Sequence, residues 1–147
     1  MFKNILIPTD GSVVSRKAIK AGVKLAQSLG AKVTGYYAMP FLQPAAFGDG
    51  EPIDRNVLAK LDRLARVTGE KYLEEIAEAA REANVEYVGL ITKPAITHEG
   101  ITDAAKKKHC DAIFIASRGR SEIRKLLLGS VTQKVLSLAR VPVIVYR

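Results

Sequence analysis

Residues 5–12 read Ile5-Leu6-Ile7-Pro8-Thr9-Asp10-Gly11-Ser12. Three consecutive aliphatic residues, without polar alternation, are typical of a strand that is buried on both faces. The Thr-Asp-Gly-Ser stretch is typical of a turn, and Ser12 is a suitable N-cap for a helix. The stretch therefore predicts a buried strand that passes through a short loop into a helix.

The same unit recurs along the chain. Further apolar runs predict strands over residues 31–38, 85–91, 112–116 and 141–146. Helical spacing of apolar residues predicts helices from Ser12 to Gly30 and over about 54–83, 97–108 and 130–138. In these helices we expect a kink at Gly69 and the following side chains to point inward: Val14, Ala18, Gly22, Leu25, Leu29, Val57, Leu58, Leu61, Leu64, Ala65, Leu73, Ile76, Ala77, Ala80, Val131, Val135 and Leu138.

This alternation predicts a single doubly wound, Rossmann-like α/β domain over residues 1–147, with helices on both faces of a parallel sheet. Right-handed crossovers favour the strand order 3-2-1-4-5. The order reverses between strands 1 and 4, and ligands of such folds bind there, at the carboxyl ends of the strands. We also expect a mobile flap in the long connection 39–53, beside that point.

Composition excludes several classes of protein. The 147 residues are 48% hydrophobic and 26% charged, as in a soluble globular domain. One cysteine excludes an intrachain disulfide and fits a cytoplasmic protein. The sequence has neither an apolar run of membrane-spanning length nor signal-peptide organisation at its start. We therefore expect no membrane association, and with two histidines a His/Cys zinc site is not expected either.

The net charge of +8 is unevenly distributed. Residues 1–50 carry +4, residues 51–100 carry −3 and residues 101–147 carry +7. An anion site is therefore expected in the last third, whereas the acidic middle argues against wrapping by a nucleic acid.

A candidate phosphate-binding segment follows strand 4. Ala116-Ser117-Arg118-Gly119 precedes Gly129-Ser130 by nine residues, and Gly129-Ser130 opens a helix. Gly119 allows close approach of the backbone and a positive φ, and the helix N-terminus favours an anion. The four basic residues of the segment add positive potential: Arg118, Arg120, Arg124 and Lys125. The spacing alone fits a turn and a helix cap equally well, and the position after strand 4 favours the phosphate site.

Asp10 ends the first strand at the same crevice. Its carboxylate can accept a hydrogen bond from a ribose hydroxyl or a base edge. An isolated Asp-Gly-Ser is more often a turn that caps a helix.

Together the two loops resemble those of the universal stress proteins of the UspA superfamily. The resemblance rests on Ile5–Ser12, on Ala116–Gly119 with Leu126–Val131, and on Val141–Val145, and it spans the whole chain. ATP-binding members share the pattern Gly, two residues, Gly, nine residues, Gly, then Ser or Thr. The first glycine of this pattern is Ala116 here, and the conformation at this residue decides whether the methyl group weakens binding.

The resemblance implies an ATP site, with or without Mg²⁺, and a role in the stress response. By position, Pro8, Thr9 and Asp10 would contact adenosine, and Ala38 and Met39 would lie beside the adenine. The segment after strand 4 would run along the ribose and phosphates, and the N-terminus of the following helix would hold the phosphates. The residues of the segment are Ala116, Ser117, Arg118, Gly119 and Arg120, and those of the helix N-terminus are Gly129, Ser130, Val131 and Thr132. The resemblance also implies a homodimer through the last strand, which as an edge strand invites pairing.

Three functions remain open from the sequence. The first is a nucleotide-dependent regulatory protein that binds ATP or a related adenine nucleotide, with slow hydrolysis at most, because no catalytic base or metal ligand is evident beside Gly129-Ser130. The second is a nucleotide-free homodimeric interaction module of the same fold. The third is a nucleic-acid binder, which the absence of an aromatic stacking platform and of a reading helix disfavours.

Overall fold

Strands and helices alternate along the residues that the computed structural model describes, which are 1–42, 54–120 and 127–147. The strands are β1 (Asn4–Pro8), β2 (Lys32–Ala38), β3 (Tyr87–Thr92), β4 (Ala112–Ala116) and β5 (Val143–Tyr146). The helices are α1 (Val13–Leu29), α2 (Arg55–Glu82), α3 (Thr97–Lys107) and α4 (Ser130–Leu138). β3 and β5 each begin two residues later than predicted. Most of the predicted flap, residues 43–53, lies outside the described residues.

The sheet has the predicted order β3-β2-β1-β4-β5, and each neighbouring pair is parallel. In register, Ile5 of β1 lies between Val33 of β2 and Ala112 of β4. The prediction of a doubly wound fold is confirmed. The order reverses between β1 and β4, so their loops diverge and leave a crevice at the carboxyl end.

β1 supplies side chains to two separate cores, as expected for a strand covered on both faces. Ile5 and Ile7 pack into the core under α1 and α2, whereas Leu6 packs into the core under α3 and α4. All three are fully buried. Their burial fixes the end of β1, and therefore the loop that follows it, rigidly in the sheet.

The two ends of α1 follow the expected capping chemistry. The Ser12 hydroxyl accepts a hydrogen bond from the amide of Ser15, and Gly30 ends the helix in the left-handed conformation with φ 63°. This capping fixes the direction in which the chain leaves the loop after β1.

The prediction for the first half of α2 is wrong at three of its five positions, whereas Leu58 is half-buried and Ala65 packs against the core. Val57, Leu61 and Leu64, expected inward, are 48%, 37% and 55% exposed, and the buried residues of α2 start only at Gly69. A helix of 28 residues is about 42 Å long, whereas a strand of seven residues spans only about 23 Å. Because the helix is longer than the sheet, much of its first half extends beyond the strands and has little to pack against.

Gly69 does not interrupt α2, which is continuous from Arg55 to Glu82. A Cβ at this position would lie 2.4 Å from the Tyr37 ring, so close packing accounts for the glycine. Two further expectations fail at helix ends: Leu29 and Leu138, the last residues of α1 and α4, are exposed. Across the described ranges, no helix is both long and apolar enough to serve as a membrane span.

Candidate functional site

A cavity of about 360 Å³ lies at the carboxyl ends of the central strands, where the order reverses. Residues from the loop after β1 line one side, and residues that follow β4 and open α4 line the other. This cavity, the crevice, lies at the position that the sequence predicts for a ligand site.

Asp10 joins the two sides of the crevice. One carboxylate oxygen accepts from the amide of Ser12 at 2.9 Å, which closes the turn before α1. The other accepts from the amide of Arg120 at 2.8 Å, across the crevice. Asp10 therefore combines the turn role and the crevice position that the sequence left as alternatives.

Gly119 is required by space and not by its backbone angle. A Cβ at this position would lie 2.6 Å from the carboxylate oxygen of Asp10 that Arg120 bonds. Its φ lies outside the left-handed region, so the expected positive φ is wrong. The glycine lets the loop after β4 come against Asp10.

The start of α4 is fastened to the end of β4 by two hydrogen bonds. The Gly129 amide donates to the Ser117 carbonyl at 2.7 Å, and the Thr132 hydroxyl donates to the Ala116 carbonyl at 2.8 Å. The first i→i−4 bond of the helix is donated by Gln133 to Gly129. The amides of Val131 and Thr132 precede that bond and carry the positive end of the helix dipole into the crevice.

Ala116 replaces the first motif glycine without backbone strain. It is the buried last residue of β4, and its φ is not in the left-handed region. The sequence left the cost of this methyl group dependent on φ, and the cost is the smaller of the two alternatives.

Two hydroxyl groups are buried in the wall beneath Asp10. The Thr9 hydroxyl oxygen accepts from the Gly11 amide at 3.2 Å and from the Ser15 hydroxyl at 2.9 Å. Since a hydroxyl oxygen has two lone pairs, both acceptor positions of Thr9 are used and its own proton remains to be donated. The Thr9 hydroxyl can therefore donate a hydrogen bond to an acceptor atom of a ligand in the crevice.

The α3 side of the crevice is largely apolar. Tyr36, Ile101 and Ile115 line it, together with Thr97 at the start of α3, whereas Tyr37 lines the crevice on the side of Asp10 and Tyr72. Burial is the main cause that raises the pKa of the Tyr36 hydroxyl above its ordinary value. This hydroxyl remains neutral at physiological pH, so the α3 side suits a flat, uncharged group.

Twelve of the predicted site residues line the crevice: Pro8, Thr9, Asp10, Ala38, Ala116, Arg118, Gly119, Arg120, Gly129, Ser130, Val131 and Thr132. Met39 and Ser117 do not. The Met39 amide bonds the Thr92 carbonyl and its side chain joins the core, and Ser117 bridges β5 and α4 through its backbone. Arg124 and Lys125 lie outside the described residues. The sequence analysis missed six residues that line the crevice: Ser15, Tyr36, Tyr37, Thr97, Ile101 and Ile115. Five of them lie near the ends of strands 2 and 4 or in the first two turns of helix 3, which was the available signal, and Ser15 lies in the first turn of helix 1.

Within the described ranges, no group of three His, Cys, Asp or Glu side chains is arranged to hold a metal ion. Cys110 is buried, and burial raises the pKa of its thiol. The crevice chemistry therefore rests on hydroxyls, amides, arginines and one carboxylate.

Comparison with known proteins places this arrangement in a family. The family model described as "Universal stress protein family" matches residues 1–147. A universal stress protein of Methanocaldococcus jannaschii, MJ0531, is 31% identical over 150 residues, covering 100% of this chain and 83% of the relative.

Two solved structures share the fold. A universal stress protein in complex with cAMP has a TM-score of 0.68 at 20% identity, covering 99% of this chain and 97% of the other. The universal stress protein from Archaeoglobus fulgidus in complex with dAMP has a TM-score of 0.65 at 20% identity, covering 99% and 98%. The chain belongs to the universal stress protein family.

Proposed function

We propose that the protein binds ATP in the crevice and acts as a nucleotide-dependent regulatory factor of the stress response. The observation that carries the proposal is the crevice itself, which joins an apolar end, a carboxylate and a helix N-terminus at the strand-order reversal. Two structures of the same fold were solved with the adenine nucleotides cAMP and dAMP, which supports an adenine nucleotide as the ligand.

The residues present fit the parts of such a ligand. The uncharged wall of Tyr36, Ile101 and Ile115 suits the base, and the second lone pairs of the Asp10 oxygens suit ribose hydroxyls. The amides at the start of α4 suit the phosphates, with positive potential from Arg118 and Arg120.

Turnover is proposed to be slow at most. Efficient hydrolysis needs a base or a metal ion that positions the attacking water. Among the described crevice residues, Asp10 is the only carboxylate, and both of its oxygens already accept backbone amides. The proposed role is therefore binding and release, with the bound nucleotide altering a surface that a partner recognises.

The direct test is to denature the purified protein, identify any released nucleotide, and titrate the nucleotide-free protein with ATP and Mg²⁺. A ligand at 100 times its Kd stabilises the folded state by about 2.7 kcal/mol, which a thermal shift detects. If the folded protein releases no nucleotide on denaturation and ATP causes no thermal shift, the proposal is overturned.

Gly129→Asp sharpens that test. Asp is a favourable N-cap, so α4 is expected to remain folded, while the carboxylate stands where a phosphate would lie. We expect ATP binding at least about 100-fold weaker, since like charges in contact cost several kcal/mol. Gly129→Asn is the matched control, with nearly the same shape and capping but no charge. Equal losses of ATP affinity in both variants would show that the shape of the side chain at residue 129, and not its charge, prevents ATP binding.

A second candidate function, a nucleotide-free dimeric module, is favoured by β5. It ends the sheet, and within the described residues no strand pairs with its outer edge. In this alternative we propose that β5 pairs two copies of the chain without nucleotide. Sedimentation analysis at micromolar concentration is expected to show a dimer, and a monomer would contradict this proposal.

A further inference from the structure

Arg120 is held at the crevice by a residue outside the loops that form it. Its guanidinium donates a hydrogen bond to the hydroxyl of Tyr72, in the middle of α2, and lies 5.8 Å from the centre of that ring. Tyr72 belongs to neither of the two loop motifs and does not line the cavity. The contact therefore links α2 to the crevice through one arginine.

Tyr72 is itself fixed by packing. Its ring lies against the backbone of Gly11, where a Cβ would come within 2.2 Å of the ring. It also meets Tyr37 edge to face, with ring centres 5.7 Å apart. The residue is 8% exposed, so its hydroxyl is presented from a rigid base.

The backbone of Arg120 is fastened separately. Its amide donates to Asp10, so the residue is held from the loop after β1 through its backbone and from α2 through its side chain. A guanidinium carries five N–H donors, and the contact with Tyr72 occupies one nitrogen. Since Arg120 also lines the crevice, the other donors are available to an anion there.

We infer that Tyr72 is a positioning residue that holds the Arg120 guanidinium ready for the phosphates of the ligand. A long arginine side chain loses rotational freedom when it binds an anion, and prior restraint removes much of that cost. The Tyr72 hydroxyl therefore favours phosphorylated nucleotides over the corresponding nucleoside. This inference rests on the proposed function, because it concerns selectivity within the same crevice.

The test compares ATP with adenosine in calorimetric titrations of wild type, Tyr72→Phe and Arg120→Gln. Tyr72→Phe keeps the ring against Gly11 and Tyr37 and removes only the hydroxyl. We expect it to weaken ATP binding about three- to tenfold and to change adenosine binding less than twofold. Arg120→Gln should weaken ATP binding at least tenfold, and adding Tyr72→Phe to it should have no further effect.

Tyr87→Phe is the matched control. Its hydroxyl also contacts α2, through the Leu73 carbonyl at 3.1 Å, but Tyr87 does not line the crevice. It should leave both affinities unchanged.

The outcomes separate the two proposals. If wild type binds ATP and Tyr72→Phe binds it equally well, or loses ATP and adenosine affinity alike, the inference on Tyr72 is overturned and the proposed function stands. If wild type binds neither ligand, the proposed function fails and the inference fails with it.

Discussion

The two loops that meet at the crevice each contain a glycine that the neighbouring structure requires, but for different reasons. Gly11, in the loop after β1, has φ 75° and lies under the Tyr72 ring. Gly119, in the loop after β4, has no unusual φ and is needed only because Asp10 stands 2.6 Å from where its Cβ would be. Glycine at position 11 avoids both backbone strain and overlap with the Tyr72 ring. Glycine at position 119 avoids only overlap with the Asp10 carboxylate, which can rotate.

The two loops contribute differently to folding and to ligand binding. The loop after β1 continues from a strand whose first four residues are buried, and its Gly11 lies against Tyr72 of α2, so it is packed as part of the interior. Among the described residues, the loop after β4 is connected to the loop after β1 by one hydrogen bond, which the Arg120 amide donates to Asp10 and which an anion or a substitution can rearrange. Substitution in the first loop should therefore alter folding, and substitution in the second should alter binding.

Gly11→Ala should produce the largest effect on stability. Left-handed backbone costs a non-glycine residue about 1–2 kcal/mol, and overlap with Tyr72 adds about 1–3 kcal/mol. We expect the free energy of unfolding to fall by about 3 kcal/mol in urea titrations. Gly30→Ala is the control, because Gly30 has φ 63° but no atom within 4 Å of its Cβ position. It should cost only the backbone strain, and equal losses at the two sites would contradict the packing role of Tyr72.

Gly119→Ala should have a smaller effect on folding and a larger one on ligand binding. The methyl group forces the Asp10 carboxylate away and breaks its bond with the Arg120 amide, at a cost of about 1 kcal/mol. We expect ATP affinity to fall about tenfold, because Asp10 and Arg120 both lose their positions.

A double-mutant cycle isolates the cause of the Gly119→Ala effect. In an Asp10→Ala background the space beside residue 119 is open, so Gly119→Ala should add little further loss of stability or affinity. Additive losses would show that Gly119 acts independently of Asp10.

Sequence patterns predicted the strands and their order, because burial on both faces and right-handed crossovers leave few topologies. The resemblance to the universal stress proteins, and not the patterns, supplied most of the predicted residues that line the crevice. The patterns failed where the outcome depended on what stands opposite a residue. Val57 and Leu64 have core-like spacing, but their helix extends past the sheet.

Glycine requirements show the same limit. A sequence indicates that residues 69 and 119 have no side chain, but only the fold brings Tyr37 and Asp10 against them. The role of Tyr72 could likewise not be predicted from the sequence, because its contacts with Gly11 and Arg120 join segments far apart in the chain.

Ala116→Gly should have the smallest effect. Ala116 ends β4 with a φ that any residue adopts, so glycine relieves no strain there and costs about 0.5–1 kcal/mol through added flexibility of the unfolded chain. The Ala116 carbonyl that accepts from Thr132 is unchanged by the substitution. Removing the methyl group opens the crevice beside the ligand, so ATP affinity in a titration should stay the same or improve. A large loss of affinity would mean that the methyl group contacts the ligand, and that the loop after β4 tolerates substitution less than its hydrogen bond to Asp10 indicates.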